Sequence, residues 1–168
     1  MQVTSKLGQG TSFQVFLPAI DGFTASKTDA ASSLENDEKT ESLIGQGELI
    51  LIVDDELAVQ DIAKTVLEEH RYRVITAANG VEAIAQYTQH QQEIHLVIMD
   101  MMMPSMGGLM AIKTLQRINP KLKIIATSGL ITTTYINELA SVGIETVLTK
   151  PYAAPDLLKC IRQILQSA

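Results

Sequence analysis

Four apolar runs in the sequence each lead into a residue able to do chemistry. Leu49–Val53 (LILIV) leads into Asp54-Asp55, His95–Met99 (HLVIM) into Asp100, Leu122–Thr127 into Ser128-Gly129, and Thr146–Thr149 into Lys150-Pro151. Three carboxylates in one place repel one another unless a cation sits among them. An all-oxygen donor set favours Mg²⁺, which uses few protein carboxylates, several waters and a phosphate oxygen. A lysine and a hydroxyl opposite such an ion suit a phosphoryl group in transfer: metal and ammonium neutralise its oxygens, and the hydroxyl donates a hydrogen bond. No Gly-x4-Gly-Lys-Ser/Thr loop occurs, and no Gly-x-Gly-x-x-Gly follows the first run, so a nucleotide cradle is missing. The nucleophile is then a carboxylate that forms an aspartyl phosphate. Asp100 is the candidate, because it stands alone on the central run and faces the acidic pair.

These residues converge only if the runs are strands whose carboxyl ends share one edge. An unbroken run such as LILIV is the pattern of a strand buried on both faces. Tyr72–Thr76 supplies a further strand. Between the strands, apolar residues take helical spacing, first as Val59, Ile62, Ala63, Val66 and Leu67. Asn79-Gly80 opens a helix ending near His90, and the Pro104–Gly108 loop leads to another over 109–118, stopped by Asn119-Pro120. A fourth helix covers Thr134–Val142 and ends at Gly143. The last opens with Pro155 and Asp156 and buries Leu157, Leu158, Ile161, Ile164 and Leu165. Five strands alternating with five helices predict a doubly wound α/β parallel sheet, with its ligand crevice at the strands' carboxyl ends.

Upstream of this region the pattern changes. Residues 21–47 are mostly Ser, Thr, Ala, Gly and charge, with acids in excess, as in a flexible acidic linker. Before them, Ser12–Pro18 alternates as one strand behind a Gly8-Gln9-Gly10-Thr11 lead-in. The whole chain of 168 residues is 46% apolar with net charge −6, enough for a core and a poor match to direct nucleic-acid binding. No apolar run approaches the ~20 residues that span a bilayer, so no membrane contact is expected. A single cysteine, Cys160, excludes an internal disulfide and fits a cytoplasmic protein.

Residues 48–168 resemble the receiver domain of two-component response regulators. The resemblance rests on V-D-D-E at 53–56, M-D-M-M-M-P-S-M-G-G at 99–108, T-S-G at 127–129 and T-K-P-Y at 149–152, in order and each at a strand end. It implies a flavodoxin-like five-stranded parallel sheet of order 2-1-3-4-5 with helices on both faces. Asp100 would be the phosphoacceptor, Asp55 a direct Mg²⁺ ligand and Asp54 one acting mostly through water, with the backbone carbonyl of Met102 completing the set. Ser128 would be the switch hydroxyl, Lys150 would pair with the phosphoryl group, and Lys150-Pro151 would be a cis bond. The donor would be a histidine kinase or histidine phosphotransfer protein, and the readout a downstream signalling protein. Residues 1–20 resemble the last glycine box and strand of a histidine-kinase ATP-binding domain, which together with linker and receiver is the layout of a hybrid sensor histidine kinase. The phosphorylated histidine and most of the ATP site have no counterpart, so the resemblance implies no kinase activity for this chain.

Several of these residues have simpler explanations alone. Asp54-Asp55 can cap a helix, Lys150 can be a solvated lysine, and Ser128-Gly129 can be an ordinary turn. Met101 to Met103 read as packing rather than a soft-metal site, since no Cys or His accompanies them. His70, His90 and His95 share no face, and Cys160 reads as a core thiol. Two readings compete with the phosphoacceptor: a phosphate-independent interaction module of the same fold, and a phosphatase working through an aspartyl phosphate. The second lacks a general acid beside Asp100. Met102 and Leu130 flank the expected path of a hydrolytic water and cannot orient one, which predicts a long-lived phosphoryl group. Val147 stands where many receivers of the family it resembles carry a rotating aromatic, so the usual hydroxyl–aromatic coupling lacks its aromatic here.

Overall fold

A computed structural model describes residues 2–6, 8, 10–14, 43–130, 132–144 and 146–166, which fall into two units. In the first, β1 (Gln2–Lys6) pairs antiparallel with β2 (Gly10–Gln14), Val3 opposite Phe13. The sequence predicted one strand over Ser12–Pro18; the described strand begins at Gly10 and has a partner. Residues 15–18 of that strand, and 15–42 of the expected remnant and linker, lie outside the described residues. Gly8, between the strands, has φ +77, a left-handed conformation that glycine adopts without a Cβ penalty.

In the second unit, five strands alternate with five helices. These are β3 (Leu49–Val53), α1 (Leu57–Glu69), β4 (Arg73–Ala77), α2 (Gly80–Gln89), β5 (Ile94–Asp100), α3 (Gly108–Ile118), β6 (Lys123–Ser128), α4 (Thr133–Ser141), β7 (Val147–Thr149) and α5 (Ala154–Gln166). All neighbours are parallel in the order β4-β3-β5-β6-β7, the flavodoxin-like 2-1-3-4-5 of this unit's own strands. Leu43 to Gly47, linker by composition, are tied to this unit. The Gly45 amide donates to the His70 carbonyl at 2.8 Å, and the Tyr72 hydroxyl donates to the Leu43 carbonyl at 3.3 Å.

Strand residues alternate between two buried layers because successive side chains leave opposite faces. Leu49, Leu51, Val53, Val97 and Met99 pack under α2, α3 and α4, while Ile50, Ile52, Leu96 and Ile98 pack under α1 and α5. Every residue of β3 is buried, as its unbroken apolar run required. On α1 the predicted stripe is rotated. Gln60, Ala63 and Leu67 are buried, whereas Ile62 is 68% exposed. Among the described residues no helix is long and apolar enough to cross a membrane.

Candidate functional site

The four strand ends predicted to converge do so. Asp54 follows β3, Asp100 closes β5, Ser128 closes β6 and Lys150 follows β7; the first three are buried, and Asp55 beside them is exposed. Each of Asp54, Asp55 and Asp100 offers a carboxylate oxygen, all within 4.8 Å of one another. Lys150 bridges two of them: its Nζ lies 2.6 Å from Asp54 Oδ2 and 2.9 Å from Asp100 Oδ2. Burial lowers the affinity of this amine for its proton, but bonds to the two carboxylates outweigh that and raise its pKa above the usual 10.5. The Lys150-Pro151 peptide is cis, and the Lys150 amide donates to the Ser128 carbonyl at 2.9 Å, tying the ends of β6 and β7 together.

The remaining oxygens are held by backbone. Asp54 Oδ1 accepts the Glu56 amide at 3.0 Å, and Asp100 Oδ1 accepts the Met102 amide at 3.1 Å. The Met102 side chain is exposed. Glu56 is the N-cap residue of α1 and makes no side-chain cap bond; its own amide is taken up by Asp54, two residues before it. The Ser128 hydroxyl faces its own loop, donating to the Leu130 carbonyl at 3.0 Å and accepting the Leu130 amide at 3.2 Å. A groove of about 720 Å³ opens beside the carboxylates, lined by Asp55, Asp100, Met102, Leu130, Lys150 and Tyr152, with Val59, Ile62 and Val66 of α1 along its wall. The exposed Ile62 belongs to that wall.

Two further residues take part, of which Gln60 was not legible in the sequence and Tyr152 was given no role there although it ends the T-K-P-Y motif. Gln60 turns its amide onto the Asp54 carbonyl at 2.5 Å and the Ala77 carbonyl at 3.2 Å, from a helix position that a purely apolar count assigns to solvent. Tyr152 lines the groove next to Lys150, and burial, its chief cause, raises its phenol above the usual range. The histidines stay apart. The His70 ring meets the Val66 carbonyl, His90 meets Glu93, and His95 Nδ1 accepts the Leu49 amide. Cys160 is half-buried, and burial raises its thiol pKa.

The chain that brings together this lysine, these carboxylates and this buried serine is similar to known proteins. The sequence is 30% identical over 163 residues to the sensor kinase CckA of Brucella abortus, a match covering 96% of this chain and 17% of that protein's length. It is 31% identical to the chemotaxis protein CheY of Bacillus subtilis, covering 69% of this chain and 96% of the CheY. The structure is similar to that of a CheY-like receiver domain protein from Methanospirillum hungatei, with TM-score 0.67 and 28% identity over 71% of this chain and 94% of the other. Residues 50–162 match the sequence model of the response regulator receiver domain, and the chain belongs to that family.

Proposed function

We propose that Asp100 accepts a phosphoryl group from a phosphohistidine, with Mg²⁺ held by Asp55, Asp54, Asp100 and the Met102 carbonyl, and that Ser128 and its loop read the arrival of that group. The observation carrying this reading is the Lys150 ammonium between Asp54 and Asp100 at the mouth of an open groove. Three carboxylates and one ammonium leave two net negative charges, which a divalent cation balances, and all the donors are hard oxygens. When bound, the ion supplies charge neutralisation for the phosphoryl oxygens.

The chain's own residues supply the rest. Asp100 Oδ1 is pinned by the Met102 amide and Oδ2 by Lys150, so the carboxylate is oriented before any donor arrives. As a carboxylate oxygen bonds to phosphorus, the phosphorus–nitrogen bond of the donor breaks, and its electron pair leaves on the imidazole. Lys150 is placed to follow the negative charge from the carboxylate onto the new phosphoryl oxygens. Ser128 can donate to those oxygens only by releasing the Leu130 carbonyl, which links phosphorylation to the shape of the β6–α4 loop.

Residues 1–20 fit the tail of a histidine-kinase ATP-binding domain joined through 21–47 to the receiver; the alignment with a sensor kinase across 96% of the chain supports this. On this reading the donor is a histidine kinase or a phosphotransfer protein, the receiver's output passes to a downstream signalling protein, and the location is cytoplasmic. The test is intact mass after incubation with Mg²⁺ and acetyl phosphate, beside Asp100→Asn and a sample given ATP alone. One added phosphate in the wild type, absent from both controls, is the expected result. An unmodified wild type that folds and binds Mg²⁺ favours the phosphate-independent interaction module instead.

A further inference from the structure

We propose that Gln60 is a positioning residue for the acidic site: its side-chain amide fixes the backbone of Asp54 and thereby the geometry of the ion-binding carboxylates. This inference rests on the phosphoacceptor reading and adds to it a residue from outside the strand ends.

Gln60 is 5% exposed, on a helix face otherwise made of Ala63 and Leu67. A buried amide is unfavourable unless its hydrogen-bonding capacity is used. Two carbonyls converge on it, those of Asp54 at 2.5 Å and Ala77 at 3.2 Å. Two converging acceptors need two donors, and a terminal NH₂ supplies both from one atom. The reverse orientation would set oxygen against two oxygens, so the network itself assigns the amide.

Both carbonyls lie where the β3–β4 ladder stops. Its last pair is Val53 with Ala77, and the Asp54 amide donates to the same Ala77 carbonyl at 3.1 Å. Asp54 is thus held on one side by β4 through its N–H and on the other by α1 through its C=O. With the backbone fixed, its carboxylate meets the Glu56 amide and Lys150, and the chain direction into Asp55 is set. Gln60 touches neither ion nor phosphoryl group, so its effect travels only through this backbone.

The test uses the full chain, ¹⁵N-labelled, as wild type, Gln60→Met and Leu115→Ala. Leu115 is fully buried under the opposite face of the sheet and serves as a comparator for general destabilisation. Loss of groups that orient metal ligands commonly weakens binding about 10-fold or more. Calorimetric titration with Mg²⁺ should therefore show a Kd about tenfold weaker in Gln60→Met and nearly unchanged in Leu115→Ala. In Mg²⁺-free protein, the Asp54 amide of Gln60→Met should exchange with solvent faster, by a larger factor than the Leu51 amide in mid-strand. A Kd shift no larger than the comparator's, or unchanged exchange at Asp54, overturns the proposal. If Gln60→Met does not fold, the wild type decides: the Gln60 side-chain protons should exchange far more slowly than those of exposed Gln91, and equal rates overturn it. A wild type that binds no Mg²⁺ overturns the phosphoacceptor reading, while the exchange measurements still decide the role of Gln60.

Discussion

The Ser128 hydroxyl has one proton, and the Leu130 carbonyl holds it at 3.0 Å. Ser128→Ala should therefore leave phosphorylation of Asp100 largely intact while removing the loop's response. Amide chemical shifts of Gly129 and Leu130, compared before and after phosphodonor addition, check this; equal shift changes in wild type and variant would refute it. Beside the same site, Met102 and Leu130 are 58% and 69% exposed and line the groove next to Asp100. Neither side chain can hold a water in line with phosphorus, so the acyl phosphate should be long-lived. Met102→Asn, which offers an acceptor and two donors, should shorten its lifetime by up to an order of magnitude, or about 1.4 kcal/mol of barrier. The decay of the phosphorylated mass over time measures this, and an unchanged half-life counts against the explanation.

At the scale of elements, the site depends on how closely α3 approaches the end of β5. A Cβ added at Gly108 would collide with the Asp100 carbonyl oxygen and lie 2.8 Å from Met101 Cα, both backbone atoms that cannot step aside. Gly108→Ala should cost about 1–3 kcal/mol and weaken Mg²⁺ binding together, because the displaced atoms belong to Asp100, a member of the carboxylate cluster, and to the residue after it. Urea unfolding and calorimetry on one sample set would show whether the two losses occur together. Gly108 also shows what the sequence could convey. The Pro/Gly composition of 104–108 predicted a loop before a helix, but the reason for glycine at 108 is a contact with a residue eight positions earlier. The strand cores and the meeting of Asp54, Asp100, Ser128 and Lys150 were legible because each pattern is local or ends a buried run, whereas the cis bond came only from the family resemblance. The rotation of α1 was not. Counting apolar spacing placed Ile62 inside and left out Gln60, whereas the Asp54 and Ala77 carbonyls at the end of the ladder draw the glutamine in and Ile62 lines the open groove. The pairing of β1 with β2 was missed for a similar reason: Gln2–Lys6 is polar, and only its partner reveals it as a strand.

Across the whole receiver unit, three groups with raised pKa values share one layer of the sheet. Tyr72, Tyr152 and Cys160 all belong to the layer under α1 and α5, and burial raises each above its usual value of 10.0, 10.0 and 9.0. Lys150, at the edge of that layer, is raised above 10.5 because its two carboxylate bonds outweigh burial. The sign is the same for all four. Between a group's unfolded and folded pKa the native state binds more protons than the unfolded chain, so stability falls as pH rises. The contribution is intact below about pH 9 and is lost upward from there, first through Cys160, then the tyrosines, and last through Lys150. Solvent screening moderates the loss at the partly exposed Tyr152, Cys160 and Lys150, so stability should fall gradually as pH rises from about 9 to 11. Growing net negative charge on an already acidic chain acts in the same direction, so the wild-type curve alone does not separate the two causes. Cys160→Ala and Tyr72→Phe do separate them. Each removes a titrating group from the α1–α5 layer, and each should flatten the fall of the urea midpoint, followed by circular dichroism, in the window of the lost group. Slopes matching the wild type would assign the alkaline loss to overall charge, and a flat wild-type curve would show that burial holds none of these protons.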